Sequence, residues 1–200
     1  MSPLEWVAAA LLLINVWLAA QRSLWNYAFA LAAVSLYLII FYEARLYSDA
    51  ALQLIFIALN LYGLWNWRQA AKGGAGPRVD AENQAIPVGW MGGAARAGWA
   101  AAMVGLWLAW SSAMAHFTDA AVPYIDGAVL VMSVAAQWLM ARRRVESWWL
   151  WVAVDLVAVP LYASRDLYVT GGVYLILLII AVRGAVQWRR AAGRTELVTA

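Results

Sequence analysis

Leu46-Tyr47-Ser48-Asp49-Ala50-Ala51-Leu52-Gln53 opens an apolar run that closes on Asn60-Leu61-Tyr62-Gly63-Leu64-Trp65-Asn66-Trp67. A helix needs roughly 20 apolar residues to cross about 30 Å of hydrocarbon, and this run has that length. A similar stretch follows 121 residues later, where Leu167-Tyr168, Leu175-Ile176 and Gly184-Ala185-Val186-Gln187-Trp188 match Leu46-Tyr47, Leu54-Ile55 and the Gly63-to-Trp67 motif. Without a gap, the same offset lays residues 3–67 over 124–188. Trp17 meets Trp138, Leu18 meets Leu139, Ala20 meets Ala141, Arg22 meets Arg143 and Ala32 meets Ala153. Glu5 meets Asp126, and Asn66 meets Gln187. Apolar spans match by chance, but a shared Gly-x-x-x-Trp, a shared Leu-Tyr and acidic span starts at one offset indicate an internal repeat.

The composition agrees with a lipid setting. Of the 200 residues, 66% are hydrophobic and 12% charged, with 14 Trp. An ordinary soluble domain carries about 25% charged residues, so this chain cannot cover a soluble surface. Disorder, a soluble nucleic-acid binder and a disulfide-stapled domain are excluded on the same figures. With no cysteine there is no thiolate nucleophile and no Cys-ligated metal. One histidine and no acidic cluster leave no metal site to propose, and nothing calls for a cofactor.

Seven spans are predicted: 4–20, 24–41, 48–68, 91–115, 124–141, 147–163 and 168–188. The first lacks a basic leading region and runs into Arg22, which favours a retained helix over a cleaved leader. The domain plan is a first three-helix repeat (1–68), a Gly- and Pro-rich cytoplasmic linker (69–90), a connecting span (91–115), a second repeat (124–188) and a cytoplasmic tail (189–200). Three spans plus one make the second repeat enter the membrane in the same direction as the first. That is a parallel repeat about an axis along the membrane normal, an arrangement used for alternating access in transporters.

The basic residues orient the chain. With the N-terminus outside, the inner loops and tail hold Arg22, Arg68, Lys72, Arg78, Arg142, Arg143, Arg144, Arg189, Arg190 and Arg194, with Arg96 near the inner start of the fourth span. The outer loops hold Arg45 and Arg165, and Arg183 lies within the last span, where it can snorkel. The positive-inside bias favours N-out, C-in.

A polar side chain in mid-span is a functional candidate. Asp49, Gln53, Phe56 and Asn60 share one face of the third span; Trp148, Trp151, Asp155 and Tyr162 share one of the sixth. Asp126, Ser133 and Gln137 share a face of the fifth; Thr170, Tyr174 and Ala181 share one of the seventh. At 1.5 Å per residue, Asn60 lies roughly 18 Å below the outer end of its span and Asp155 roughly 12 Å above the inner end of its own, near one level. An amide, a carboxylate and aromatics at mid-depth suit a flat cationic ligand. Bland readings stand beside this. Asn60 also suits an interhelical hydrogen bond, and Asp155 a pairing with Arg183 or a Tyr hydroxyl. Trp6, Trp25, Trp90, Trp149 and Trp188 suit interfacial anchors. His116 suits a boundary position, and Arg142–Arg144 a topology signal and lipid-headgroup contact.

The Leu46-to-Gln53 start and the Asn60-to-Trp67 end resemble the PnuC vitamin transporters, as do Asp126, Gln137, Glu146-Ser147-Trp148-Trp149-Leu150-Trp151, Tyr162, Tyr168 and Gly184-to-Trp188. The resemblance spans 3–188. It implies an all-α, seven-helix, three-plus-one-plus-three fold similar to a full-length SWEET topology. It implies uptake of nicotinamide riboside across a bacterial inner membrane by facilitated diffusion. A cytoplasmic kinase would trap the product by phosphorylation, and the chain would form a homo-oligomer, a trimer by resemblance. The family's binding residues map onto Gln53, Asn60, Trp65, Gln137, Trp151 and Tyr162, and the aligned face adds Tyr174. Asp155 departs from an expected asparagine and changes the charge of the pocket. Thiamine or another nucleoside is therefore an alternative substrate. A membrane enzyme is the rival from another class, poorly served by one histidine and no cysteine. An ATP-driven pump lacks its phosphate loop, and a retinal protein lacks a lysine inside the bundle.

Overall fold

The computed structural model describes residues 3–43, 47–72, 86–118, 122–163 and 168–199. The seven expected helices are all present: α1 (Pro3–Ala20), α2 (Asn26–Glu43), α3 (Tyr47–Lys72), α4 (Gly93–Phe117), α5 (Pro123–Ala141), α6 (Glu146–Ala163) and α7 (Tyr168–Thr199). Six of them, all but α6, contain described stretches long and apolar enough to cross a membrane. Pro123 opens α5 at a position where a missing N–H costs nothing. Two expected edges move by more than two residues. α3 runs past 68 to Lys72, and α7 runs past 188 to Thr199. Polar residues extend both helices once the apolar span is complete.

Six helices close into a ring. α1 packs on α2, α2 on α3, α3 on α5, α5 on α6, α6 on α7, and α7 on α1. α4 packs on α5 alone and is exposed along nearly its whole length, with Ser111 its buried residue. An apolar helix so exposed needs lipid or another chain around it.

Two local features recur at the offset of 121. α1 ends on Arg22 in the left-handed region (φ 59°), where Arg22 N–H donates to Ala19 O at 2.9 Å and Ser23 N–H to Leu18 O at 3.0 Å. α5 ends on Arg143 (φ 60°), with Arg143 N–H to Met140 O and Arg144 N–H to Leu139 O, both at 2.9 Å. These are helix ends of the Schellman type, with arginine where glycine is usual. Gly63 faces the Tyr27 ring so closely that a Cβ would lie 2.5 to 2.8 Å from it, and at Gly184 a Cβ would lie 2.7 Å from the Trp148 ring. Only glycine allows α2 to meet α3, and α6 to meet α7, this closely.

The core sits at one end of the ring. Tyr27 meets Trp67 edge-on at 5.2 Å, Trp67 meets Trp188 at 5.8 Å, and Trp148 meets Trp188 edge-on at 5.6 Å. All four rings are buried. Trp188, expected as an interfacial anchor, is therefore a core residue, whereas Trp6, Trp25 and Trp149 are exposed as anchors should be. The far end of the expected linker also belongs here. Ile86 and Val88 are buried in the same cluster as the four rings, and residues 86–91 cross the α5–α6 corner.

Candidate functional site

The aromatic row sets a reference level for the polar residues. Trp67 stands near the end of α3 and Trp148 near the start of α6, at the same end of the ring. Asn60 lies two turns before Trp67, and Asp155 two turns after Trp148. Each is about 10 Å along its helix from the row, towards the opposite end. Asn60 and Asp155 therefore share one layer.

Both are buried, at 4% and 3% exposure. The Asn60 amide N–H donates to Phe56 O at 2.8 Å, and its oxygen accepts from Gln137 Nε2 at 3.0 Å. This bond joins α3 to α5 across the two halves. Asn60 is thus an interhelical contact in this conformation, with an amide pair that faces the interior. Gln53, buried at 7%, occupies the same α3 face two turns further from the row.

Asp155 differs. Among the described residues it has no hydrogen-bond or ion-pair partner. The pairing with Arg183 is not formed, because the Arg183 guanidinium lies over the Trp17 ring at 5.1 Å. A carboxylate removed from water without a partner is costly, and such groups at membrane depth mark ligand or ion pathways.

The remaining candidates divide. Trp151 is half-buried against the aromatic cluster on the Asp155 face of α6. Tyr174 is half-buried on α7. Trp65 is exposed, 57% of its surface open. Five residues along a helix turn it about 140° from Asn60, so it faces away from the polar layer. Tyr162 stands on α6, but its side chain lies outside the described residues, as does that of Asp49. Glu146 was not anticipated as a tether. Its Oε1 accepts from Met91 N–H at 2.9 Å and from Arg96 Nε at 2.7 Å. The alternation of apolar Ile86, Val88 and Trp90 was the available signal that this segment lies extended against the core.

The sequence profile of the nicotinamide mononucleotide transporter family matches residues 2–190. The nicotinamide riboside transporter PnuC of Escherichia coli is 29% identical, with 90% of this chain and 82% of that protein aligned. The riboflavin/roseoflavin transporter RibM of Streptomyces davaonensis is 28% identical over 88% of this chain and 79% of its own length. The crystal structure of the vitamin B3 transporter PnuC superposes with a TM-score of 0.78 at 26% identity, covering 96% of this chain and 82% of that one.

Proposed function

This chain belongs to the nicotinamide mononucleotide transporter family of multi-pass membrane proteins, and from that premise we propose that it takes up nicotinamide riboside across a bacterial inner membrane by facilitated diffusion. The observation that carries the reading is the buried, unpartnered Asp155 in one layer with the Asn60–Gln137 amide pair. The pyridinium ring of nicotinamide riboside is cationic and offsets the carboxylate; amides at the same level hydrogen-bond its polar groups. Gln53, Trp151, Tyr162 and Tyr174 complete the set. Trp65, turned away, is the weakest member.

The order of packing supports a three-plus-one-plus-three plan of SWEET type. A two-fold that carries α1, α2 and α3 onto α5, α6 and α7 also carries the α1–α7 contact onto the α5–α3 contact. Two such bundles rock about the layer between them to give alternating access. The charge count favours an N-terminus outside. Phosphorylation by a cytoplasmic kinase traps the product, and the exposed α4 suits assembly into a homotrimer. The relative that carries riboflavin supports a second reading, in which the same layer takes another vitamin such as riboflavin or thiamine.

The test is a thermal-stability panel on the purified chain with nicotinamide riboside, thiamine, riboflavin and common nucleosides. A ligand at one hundred times its dissociation constant stabilises by about 2.7 kcal/mol. Nicotinamide riboside should give the largest shift. It should also exchange in counterflow from proteoliposomes and be recovered unchanged. Recovery of an altered product would instead indicate an enzyme.

A further inference from the structure

Residues 86–91 are fastened to the α5–α6 corner by backbone and side chain together. Gly89 N–H donates to Arg143 O and Val145 N–H to Gly89 O, both at 3.1 Å. Arg143 Nη1 donates to Pro87 O at 3.2 Å, and Arg144 Nη1 to Trp90 O at 2.9 Å. Between strap and corner is a cavity of about 180 Å³, lined by Pro87, Val88, Gly89, Arg142, Arg143 and Arg144. Every ionisable group in that lining is a guanidinium.

A topology signal explains arginines near the membrane, but not their convergence on one cavity. Arg143 Nε is buried and has no hydrogen-bond partner among the described residues. Burial lowers the Arg143 pKa from its ordinary value. Arg144 and Arg142 press it the same way, and the Tyr27 and Tyr62 phenols oppose them. No described carboxylate acts on it. Glu146, close by in sequence, accepts from Met91 and Arg96 instead. Three guanidiniums lining one polar cavity, with no described carboxylate acting on Arg143, are the usual complement of an oxyanion. A phosphate group presents several strong acceptors to several such donors at once, and about 180 Å³ leaves room beside it for ordered water, each about 30 Å³.

We propose that the cavity between residues 87–89 and the Arg142–Arg144 corner is an anion site for a phosphate group, and that its occupant fastens the strap over the aromatic row. The same arginines hold the Pro87 and Trp90 carbonyls, so an anion that orders them also orders the strap. Bound phosphate thereby holds this end of the ring shut. The phosphate comes either from a free phosphorylated metabolite or from an anionic phospholipid headgroup. The site does not depend on which vitamin is carried.

The test uses the full-length chain in neutral detergent, titrated with inorganic phosphate and with a nucleoside monophosphate at constant ionic strength, and read by thermal unfolding. A parallel arm compares nanodiscs of phosphatidylcholine with nanodiscs containing phosphatidylglycerol. A saturable stabilisation is expected in one arm. The free-anion arm identifies a soluble ligand; phosphatidylglycerol alone identifies a headgroup. Arg143→Gln should weaken the response at least tenfold. If that variant does not fold, the double variant Arg142→Gln/Arg144→Gln carries the same expectation. No stabilisation of the wild-type chain in either arm overturns the proposal, as does an equal response in a folded variant. A response that emerges only in Asp80→Asn/Glu82→Gln also overturns it, because acids of the chain itself then fill the cavity.

Discussion

Trp67 and Trp188 each reach into the opposite half of the molecule while their rings lie 5.8 Å apart. Trp67 Nε1 donates to Met140 O at 3.2 Å, and Trp188 Nε1 donates to Ala19 O and Ala20 O at 3.2 Å. Asn66 adds a bond to Ala141 O at 3.0 Å. The acceptors are carbonyls at the ends of α5 and α1; Ala19 O and Met140 O also accept from the Arg22 and Arg143 N–H groups, so there the indoles add a second donor. Each half thus caps the other. The joint is dry and hydrogen-bonded at once, which suits a fixed pivot between two bundles.

Trp67→Phe and Trp188→Phe test that joint. Each keeps a ring in place and removes one hydrogen bond to a carbonyl, which costs about 0.5–1.5 kcal/mol. The rings touch, so the double variant should depart from additivity. Thermal unfolding of the two single variants and the double measures both effects. Unchanged midpoints in both singles would mean the indole bonds contribute nothing to holding the halves together.

Gly63→Ala and Gly184→Ala should both destabilise, because the added methyl group meets a buried ring at 2.5 to 2.8 Å. Overpacking of this kind costs about 1–3 kcal/mol. The neighbours are Tyr27 and Trp148, both flanked by other rings, so neither can move aside freely. A smaller residue in place of Trp148 should partly rescue Gly184→Ala, and not Gly63→Ala. Folded yield and melting temperature report the pattern.

Orientation is open to direct measurement because the chain has no cysteine. Single cysteines placed in 73–85 and in the tail beyond 189 should be protected from a membrane-impermeant thiol reagent in intact cells. One at the α4–α5 connection should react. Labelling of 73–85 from outside would invert the topology and move the Arg142–Arg144 corner to the other face.

The helices were legible because crossing lipid imposes a length and a composition that few other constraints override. The expected repeat register rests on glycines and tryptophans that recur at one offset. The role of Trp188 was not legible. A tryptophan near a span end has the same local sequence whether it lies at the lipid interface or under a neighbouring helix, and only the partner helix decides. Residues 86–91 were obscured in the same way: Pro87 and Gly89 mark a loop, while the burial of Ile86 and Val88 depends on the aromatic row beneath them. The side-chain period placed Gln53 and Asn60 on one face, yet the bond from Gln137 needed the α3–α5 packing that no local pattern encodes. Trp65 entered as a candidate through the resemblance, against the helical period that turns it away.

Asp155 and Asn60 give the sharpest separation between a binding layer and a scaffold. Asp155 is buried without a described partner, and Asn60 is bonded to Gln137. If Asp155 offsets a cationic ring, Asp155→Asn keeps the shape, removes the charge and should weaken a cationic substrate by roughly 1–3 kcal/mol, about 5- to 150-fold. A neutral isostere should lose much less. The unliganded protein should be as stable or more stable, because an unpaired buried carboxylate is itself a cost. Asn60→Ala should act differently. It leaves the Gln137 amide without its partner, so it should lower stability by about 1 kcal/mol and weaken charged and neutral ligands alike. Calorimetric titration of both ligands against both variants, with melting curves of the unliganded proteins, measures all four effects. If Asp155→Asn binds the cation as well as the native chain does, or fails to fold, then the carboxylate belongs to the scaffold and the vitamin is held by something else.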